Sequence, residues 1–317
     1  MEPAPPCQAA NRVTGVRTRN RTAAALAMLL LGMRVARQVA ARYGRPKGRR
    51  GTGALIAVPD AMDVSLPGPG GAMLRGWFLT GAAPGQSGPA ALVMHGWGGS
   101  ALDLVPLAAP LREAGLHTLL LDARGHGRSD DCTITSMPHF AEDVAAGLRW
   151  LRAQPLVDPD RIVLLGHSVG AGACLLAAHR DPGVTAVVSL SCMAQPREVM
   201  TRLLSGAHVP LVARWLALRY IEHAIGMRFA AFAPLVTLPA LLAPVLLVHG
   251  ELHQVVPVSD AHRLAAAAPR ARLLLVPDAG HADVEAMPAV SDAICEKGYP
   301  SQCTSNRLSR CPPRPRG

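Results

Sequence analysis

"RIVLLGHSVGAGACLLAAH", residues 161–179, changes character halfway along. It opens on a short, continuously aliphatic run, as expected of a strand covered on both faces, and ends in the helix-forming segment "ACLLAAH". Between the two, Gly166 and Gly170 bracket Ser168 in the pattern G-x-S-x-G. A strand that turns at once into a helix packs so closely around the turn that small residues are needed on either side, and the turn lifts the serine above the end of the sheet. The helix N-terminus behind it offers backbone N–H groups to a developing negative charge. Ser168 is therefore a candidate nucleophile, and the alternative is a structural turn that carries no chemistry.

The unit recurs outward from this point. Aliphatic runs stand at 91–96, 117–122, 184–191, 244–250 and 271–277, with helix-length segments near 101–114, 138–153, 258–268 and 283–294. Strands alternating with helices give a mostly parallel, doubly wound α/β sheet, here of about eight strands. Pieces near 54–66 and 72–80 are expected to add antiparallel strands at one edge. In such sheets the loops beyond the carboxyl ends of the strands hold the ligand.

A chain of 317 residues can bury one sizeable α/β domain with extensions. Its apolar content is 50% with only 3% aromatic, so the core is aliphatic. The net charge of +10 is not spread over the fold: residues 1–53 carry +10, residues 295–317 carry +4, and residues 54–294 carry −4. Seven scattered cysteines form no Cys/His metal spacing and no disulfide framework, which points to a reducing, cytoplasmic compartment and implies neither a metal nor a cofactor.

The ends divide the chain into three parts: a basic N-terminal extension at 1–53, a main domain at 54–294, and a basic tail at 295–317. The 11-residue apolar run "AAALAMLLLGM", 23–33, lies among arginines. A membrane-spanning helix needs about 20 apolar residues, so the run is too short to cross alone. Three readings stand open: a basic helix lying on a membrane surface through residues 12–50, a signal or anchor segment, and a helix docked on the body. Residues 45–53 read as a linker. The tail lacks periodicity and reads as disordered, either a replaced or frame-shifted terminus or a solvated arm that binds anions.

Further motifs follow in order. "MHGWGGS", 94–100, is a glycine cluster after one strand; "DARGHGRSD", 122–130, follows the next; "LLLVPDAGHADV", 273–284, places His281 after the last. With the serine turn, these resemble the α/β-hydrolase superfamily, and within it the serine esterases, lipases and monoacylglycerol-lipase-like hydrolases, over residues 55–294. The resemblance implies an oxyanion hole built from the Trp97 and Val169 amides, with His281 as general base. Imidazole suits that task because its pKa lies near neutrality. Asp122, Arg124 and Ser129 are expected to fix their loop, and His126 is expected to be an exposed loop histidine.

The catalytic acid is the anomaly. Similar sequences read H-G-x-x-D-x-x-V-P after the penultimate strand, whereas "HGELHQVVP", 249–257, puts His253 at the acid position. Glu251 is the nearest substitute, although residues two apart on an extended chain sit about 6.6 Å apart. Asp260, a lesser candidate for the acid, is expected to open the next helix as a solvated or N-terminal residue. The remaining alternatives are a Ser–His dyad, an impaired enzyme, and a sequence error, since Asp and His codons differ by one base.

Residues 196–240 have helical apolar spacing and resemble the cap of such hydrolases, with Leu203, Leu204, Val212, Trp215, Leu216 and Met227 either lining an acyl pocket or only packing the cap onto the body. The expected function is hydrolysis of a carboxylic ester or thioester with an apolar acyl group. The alternatives are a catalytically impaired scaffold that binds a ligand, partner or membrane, and an amidase or peptidase of the same fold. No phosphate-binding or dinucleotide glycine fingerprint is present. The arginine-rich ends lack the aromatic interleaving of a nucleic-acid module, so no nucleic-acid partner is expected.

Overall fold

The computed structural model describes residues 23, 25–35, 37–38, 60–81, 87–207 and 209–280. Eight strands form one sheet: β1 (Met62–Pro67), β2 (Met73–Leu79), β3 (Gly88–Met94), β4 (His117–Asp122), β5 (Val157–His167), β6 (Ala186–Leu190), β7 (Val245–Gly250) and β8 (Arg272–Val276). Their spatial order is β1-β2-β4-β3-β5-β6-β7-β8. β1 and β2 pair antiparallel at one edge and β2 runs antiparallel to β4, while every other pairing is parallel.

Both faces of the sheet are covered, which is why its strands read as continuous apolar runs. Leu92, Met94, Leu119 and Leu121 enter one buried layer, and Ala91, Val93 and Leu120 enter the other. Helix α1 comprises residues 25–35. The segment expected as one helix at 101–114 is a 3-10 turn, Ala101–Leu107, followed by α2 (Ala108–Glu113). Pro106 and Pro110 lack the N–H groups that a continuous α-helix would need there. Then come α3 (Met137–Arg152), α4 (Val169–Arg180) and, after the cap, α9 (Val258–Ala267).

Between β6 and β7 stand α5 (Pro196–Gly206), α6 (Leu211–Ile225), α7 (Phe229–Phe232) and α8 (Pro234–Thr237), closed by a 3-10 turn at Leu238–Ala240. These are the insertion read at 196–240. The expected helix at 283–294, residues 54–59 of the edge strand, most of the basic extension and the tail lie outside the described residues.

After β3 the chain crosses to β4 on one side and then returns to place β5 on the other, so the strand order reverses between β3 and β5. A crevice outside the carboxyl ends of the strands opens at such a reversal. The two loops that leave it begin at His95 and at Ser168.

Candidate active site

Ser168 sits between β5 and α4 with φ 54° and ψ −115°, a backbone region that few non-glycine residues adopt. Its neighbours hold it there. The Ser168 amide donates to the Leu190 carbonyl on β6 at 2.8 Å, and the Ala171 amide donates to the Ser168 carbonyl at 3.1 Å. A Cβ on Gly166 would overlap the backbone of Gly170, and one on Gly170 would overlap the carbonyls of Met94 and His95. Gly166 is thus required by the close packing of strand on helix at the turn, and Gly170 by the approach of α4 to the end of β3. A Cβ on Gly96 would lie 3.2 Å from Ser168 Cβ, so the loop after β3 stands directly against the serine.

That loop carries Trp97, whose amide, like that of Val169, donates to no acceptor among the described residues. Two histidines brace it. The buried His126 ring accepts from the Gly98 amide through Nε2 at 3.2 Å and donates from Nδ1 to the Arg124 carbonyl at 3.1 Å. His95 donates from Nδ1 to the Gly96 carbonyl at 2.7 Å and accepts from the Ala123 amide at 3.1 Å. Burial pushes both imidazoles down to about 4, so both are neutral near pH 7 and can act as donor and acceptor at once. The expectation that His126 is exposed is corrected. Its ring lies 5.0 Å from that of His95 and 4.9 Å from that of Phe140, because it joins the loops after β3 and β4.

The rest of the 122–130 loop behaves as expected. Asp122 accepts from the amides of Ala101 at 2.7 Å and Arg128 at 3.0 Å, and burial raises its pKa. The Arg124 guanidinium pairs with Asp143 at 2.8 Å and donates to the His139 carbonyl at 3.0 Å, tying the loop to α3. Burial, opposed by Arg124, pushes Asp143 up to about 6. Ser129 Oγ donates to the Asp122 carbonyl at 2.6 Å.

His253, at the acid position, is buried in the loop after β7. Its Nδ1 accepts from the Val256 amide at 2.8 Å, as the oxygen of an aspartate there would. The imidazole thus holds the loop closed on its own backbone. With Nδ1 accepting, the proton of the neutral ring lies on Nε2, which is a donor where a carboxylate would offer only acceptors. His249 lies beneath it, with ring centres 5.0 Å apart, and donates to the Val256 carbonyl at 3.0 Å.

Glu251 is exposed and forms no ion pair or side-chain hydrogen bond with any described residue; its amide donates to the Val276 carbonyl at 3.1 Å. Asp260 stands in the first turn of α9, as expected, but it is buried there rather than solvated. It is 2% exposed, accepting from the Ala194 amide at 3.0 Å and from Arg263 at 3.2 Å, and so it ties α9 to the chain leaving β6. Sequence alone gave no signal for that role, since the partner is an amide 66 residues away. His281 lies outside the described residues. The chain leading to it does not: the Ala279 carbonyl accepts from the Leu252 amide at 3.1 Å and covers Gly250 so closely that a Cβ there would overlap it.

Of the six residues expected to line an acyl pocket, Leu203, Val212 and Trp215 are exposed, Leu204 is buried in the core, Leu216 meets α1, and Met227 packs half-buried against the core. The helical period was read correctly, but α6 turns that face outward. Among the described residues no cluster of His, Cys, Asp or Glu could hold a metal ion.

A family model described as serine aminopeptidase, S33, matches residues 86–231. Rv2307c of Mycobacterium tuberculosis strain H37Rv is 34% identical over 232 residues, covering 72% of this chain and 75% of that one. A thiohydrolase of Arthrinium phaeospermum is 34% identical over 130 residues, 38% of this chain and 39% of that one. Among solved structures, an esterase of Pyrococcus furiosus superposes with a TM-score of 0.62 at 19% identity, covering 80% of this chain and 96% of that one. With its sheet order, its serine turn at the strand reversal and these relatives, the chain belongs to the α/β-hydrolase superfamily.

Proposed function

We propose that the protein hydrolyses a carboxylic ester or thioester through an acyl-enzyme on Ser168. The observation that carries this is the strained Ser168 backbone, held at the N-terminus of α4 against the loop bearing Trp97. Ser168 Oγ attacks the acyl carbon while His281 takes its proton. The Trp97 and Val169 amides receive the oxyanion, each contributing about 3 kcal/mol to barrier lowering. The tetrahedral adduct collapses, the alcohol or thiol leaves with the proton from His281, and water, deprotonated by the same base, releases the acid and restores Ser168. Trp97, on the loop that stands against the serine, and Val169 beside it favour an apolar acyl group. The thiohydrolase relative supports including thioesters.

Here the acid is the weak member. A protonated His253 would oppose the imidazolium on His281, and a neutral one presents a donor. Loss of the orienting carboxylate in serine proteases costs about 10⁴-fold in turnover, or about 5 to 6 kcal/mol. Glu251 supplies the acid only if its loop rearranges, since its carboxylate is in solvent. The test is hydrolysis of p-nitrophenyl esters from acetyl to decanoyl by wild type and by Ser168→Ala, Glu251→Gln and His253→Asp. Full activity in Ser168→Ala would overturn the reading.

A second reading, a ligand- or partner-binding scaffold with little turnover, is favoured by the donor at the acid position. A fluorophosphonate probe separates the two, because labelling requires a reactive Ser168.

A further inference from the structure

Helix α1 is docked on the cap. A Cβ placed on Gly32 would stand 2.8 Å from Leu216 Cβ and 3.3 Å from the Ala213 carbonyl, both on α6, and Met28 and Val35 pack on the main core from the same side of α1. That contact leaves the outer side of the pair apolar. On α1, Leu26, Leu29 and Leu30 face solvent; on α6, Leu211, Val212 and Trp215 are 76%, 57% and 54% exposed. The exposed Arg34 and Arg37 close the carboxyl end of the α1 stripe.

No helix among the described residues is long and apolar enough to cross a membrane. We propose that the outer side of the α1–α6 pair is a docking surface for an anionic phospholipid bilayer, on which the protein lies with its cap against the lipid. Apolar side chains entering the acyl boundary, a tryptophan at the level of the headgroups and arginines against lipid phosphates are the chemistry of a helix lying in the interface. Charge selects this occupant over a second copy of the chain. Residues 1–53 carry +10, so a dimer through this side would bring two such segments together, whereas an anionic bilayer neutralises them.

The test is co-sedimentation of the full chain with vesicles of phosphatidylcholine alone and of phosphatidylcholine mixed with phosphatidylglycerol. Binding is expected only to the mixed vesicles, and it should weaken with salt. Arg34→Glu with Arg37→Glu should lower partitioning by at least about 25-fold, taking about fivefold per arginine. Leu30→Asp with Trp215→Asp should lower it by on the order of tenfold or more at an unchanged melting temperature. Leu242→Asp, an exposed apolar site outside both helices, should bind as wild type does. Undiminished binding by the Leu30/Trp215 variant would reduce the effect to the basic segments and overturn the proposal. So would absence of binding to either vesicle, or a concentration-dependent dimer that this variant abolishes.

Discussion

At the scale of single residues, two histidines divide the chemistry of the site from its construction. His253 keeps the loop after β7 folded through its Nδ1 bond to the Val256 amide, yet it cannot hold charge opposite an imidazolium. His253→Asp should therefore raise kcat/KM for short p-nitrophenyl esters by several orders of magnitude, up to about 10⁴-fold, with little change in melting temperature. If Glu251→Gln abolishes wild-type turnover instead, the acid has moved to Glu251. His126 is the converse case, a buried neutral ring that joins two loops. Its folded pKa of about 4 lies below the ordinary 6.5, so the unfolded chain binds the extra proton between those values. Its contribution is thus fully present above pH 6.5 and is lost as pH falls toward 4, at about 1.4 kcal/mol per pH unit. Urea titrations from pH 7 to pH 4 should show a shallower loss of stability in His126→Gln than in wild type.

At the scale of elements, the strand-to-helix turn and the base of the cap are each held by backbone contact. Gly170→Ala drives a methyl into the carbonyls of Met94 and His95, which neither strand can yield without breaking pairs in the sheet. The expected cost is about 3 kcal/mol or more by urea denaturation, beyond ordinary overpacking. Asp260 works over a longer reach, because its carboxylate satisfies the Ala194 amide where the chain leaves β6 for the cap. Asp260→Ala leaves that buried donor unpaired at about 1 to 3 kcal/mol, and the urea midpoint should fall accordingly.

At the scale of the whole molecule, the sheet lies between two buried apolar layers, and the cap shares the larger of them, with α1 packed against it. Gly32 permits the close approach of α1 to α6. Gly32→Leu should separate the two helices without touching the sheet. Tryptic cleavage after Arg34 and Arg37 would then speed up while the melting temperature of the body stays unchanged. A fall in melting temperature alongside the faster cleavage would mean that α1 is part of the cooperative core.

The sequence by itself determined the sheet, the serine turn and the loop-fixing roles of Asp122, Arg124 and Ser129. These depend on local pattern: period, the glycines that a close approach demands, and motifs read along a few consecutive residues. The tertiary structure alone decided the burial of His126 and Asp260, the outward face of α6 and the docking of α1. Each depends on partners far along the chain, as when Asp260 meets Ala194 and Gly32 meets Leu216. Helical spacing fixes which side chains share a face but not which way that face turns, so Val212 and Trp215 read equally well as pocket lining or as residues packing the cap onto the body, and they are neither. Packing chose the surface, because Ala213 and Ala217, on the opposite side of α6, fit the core.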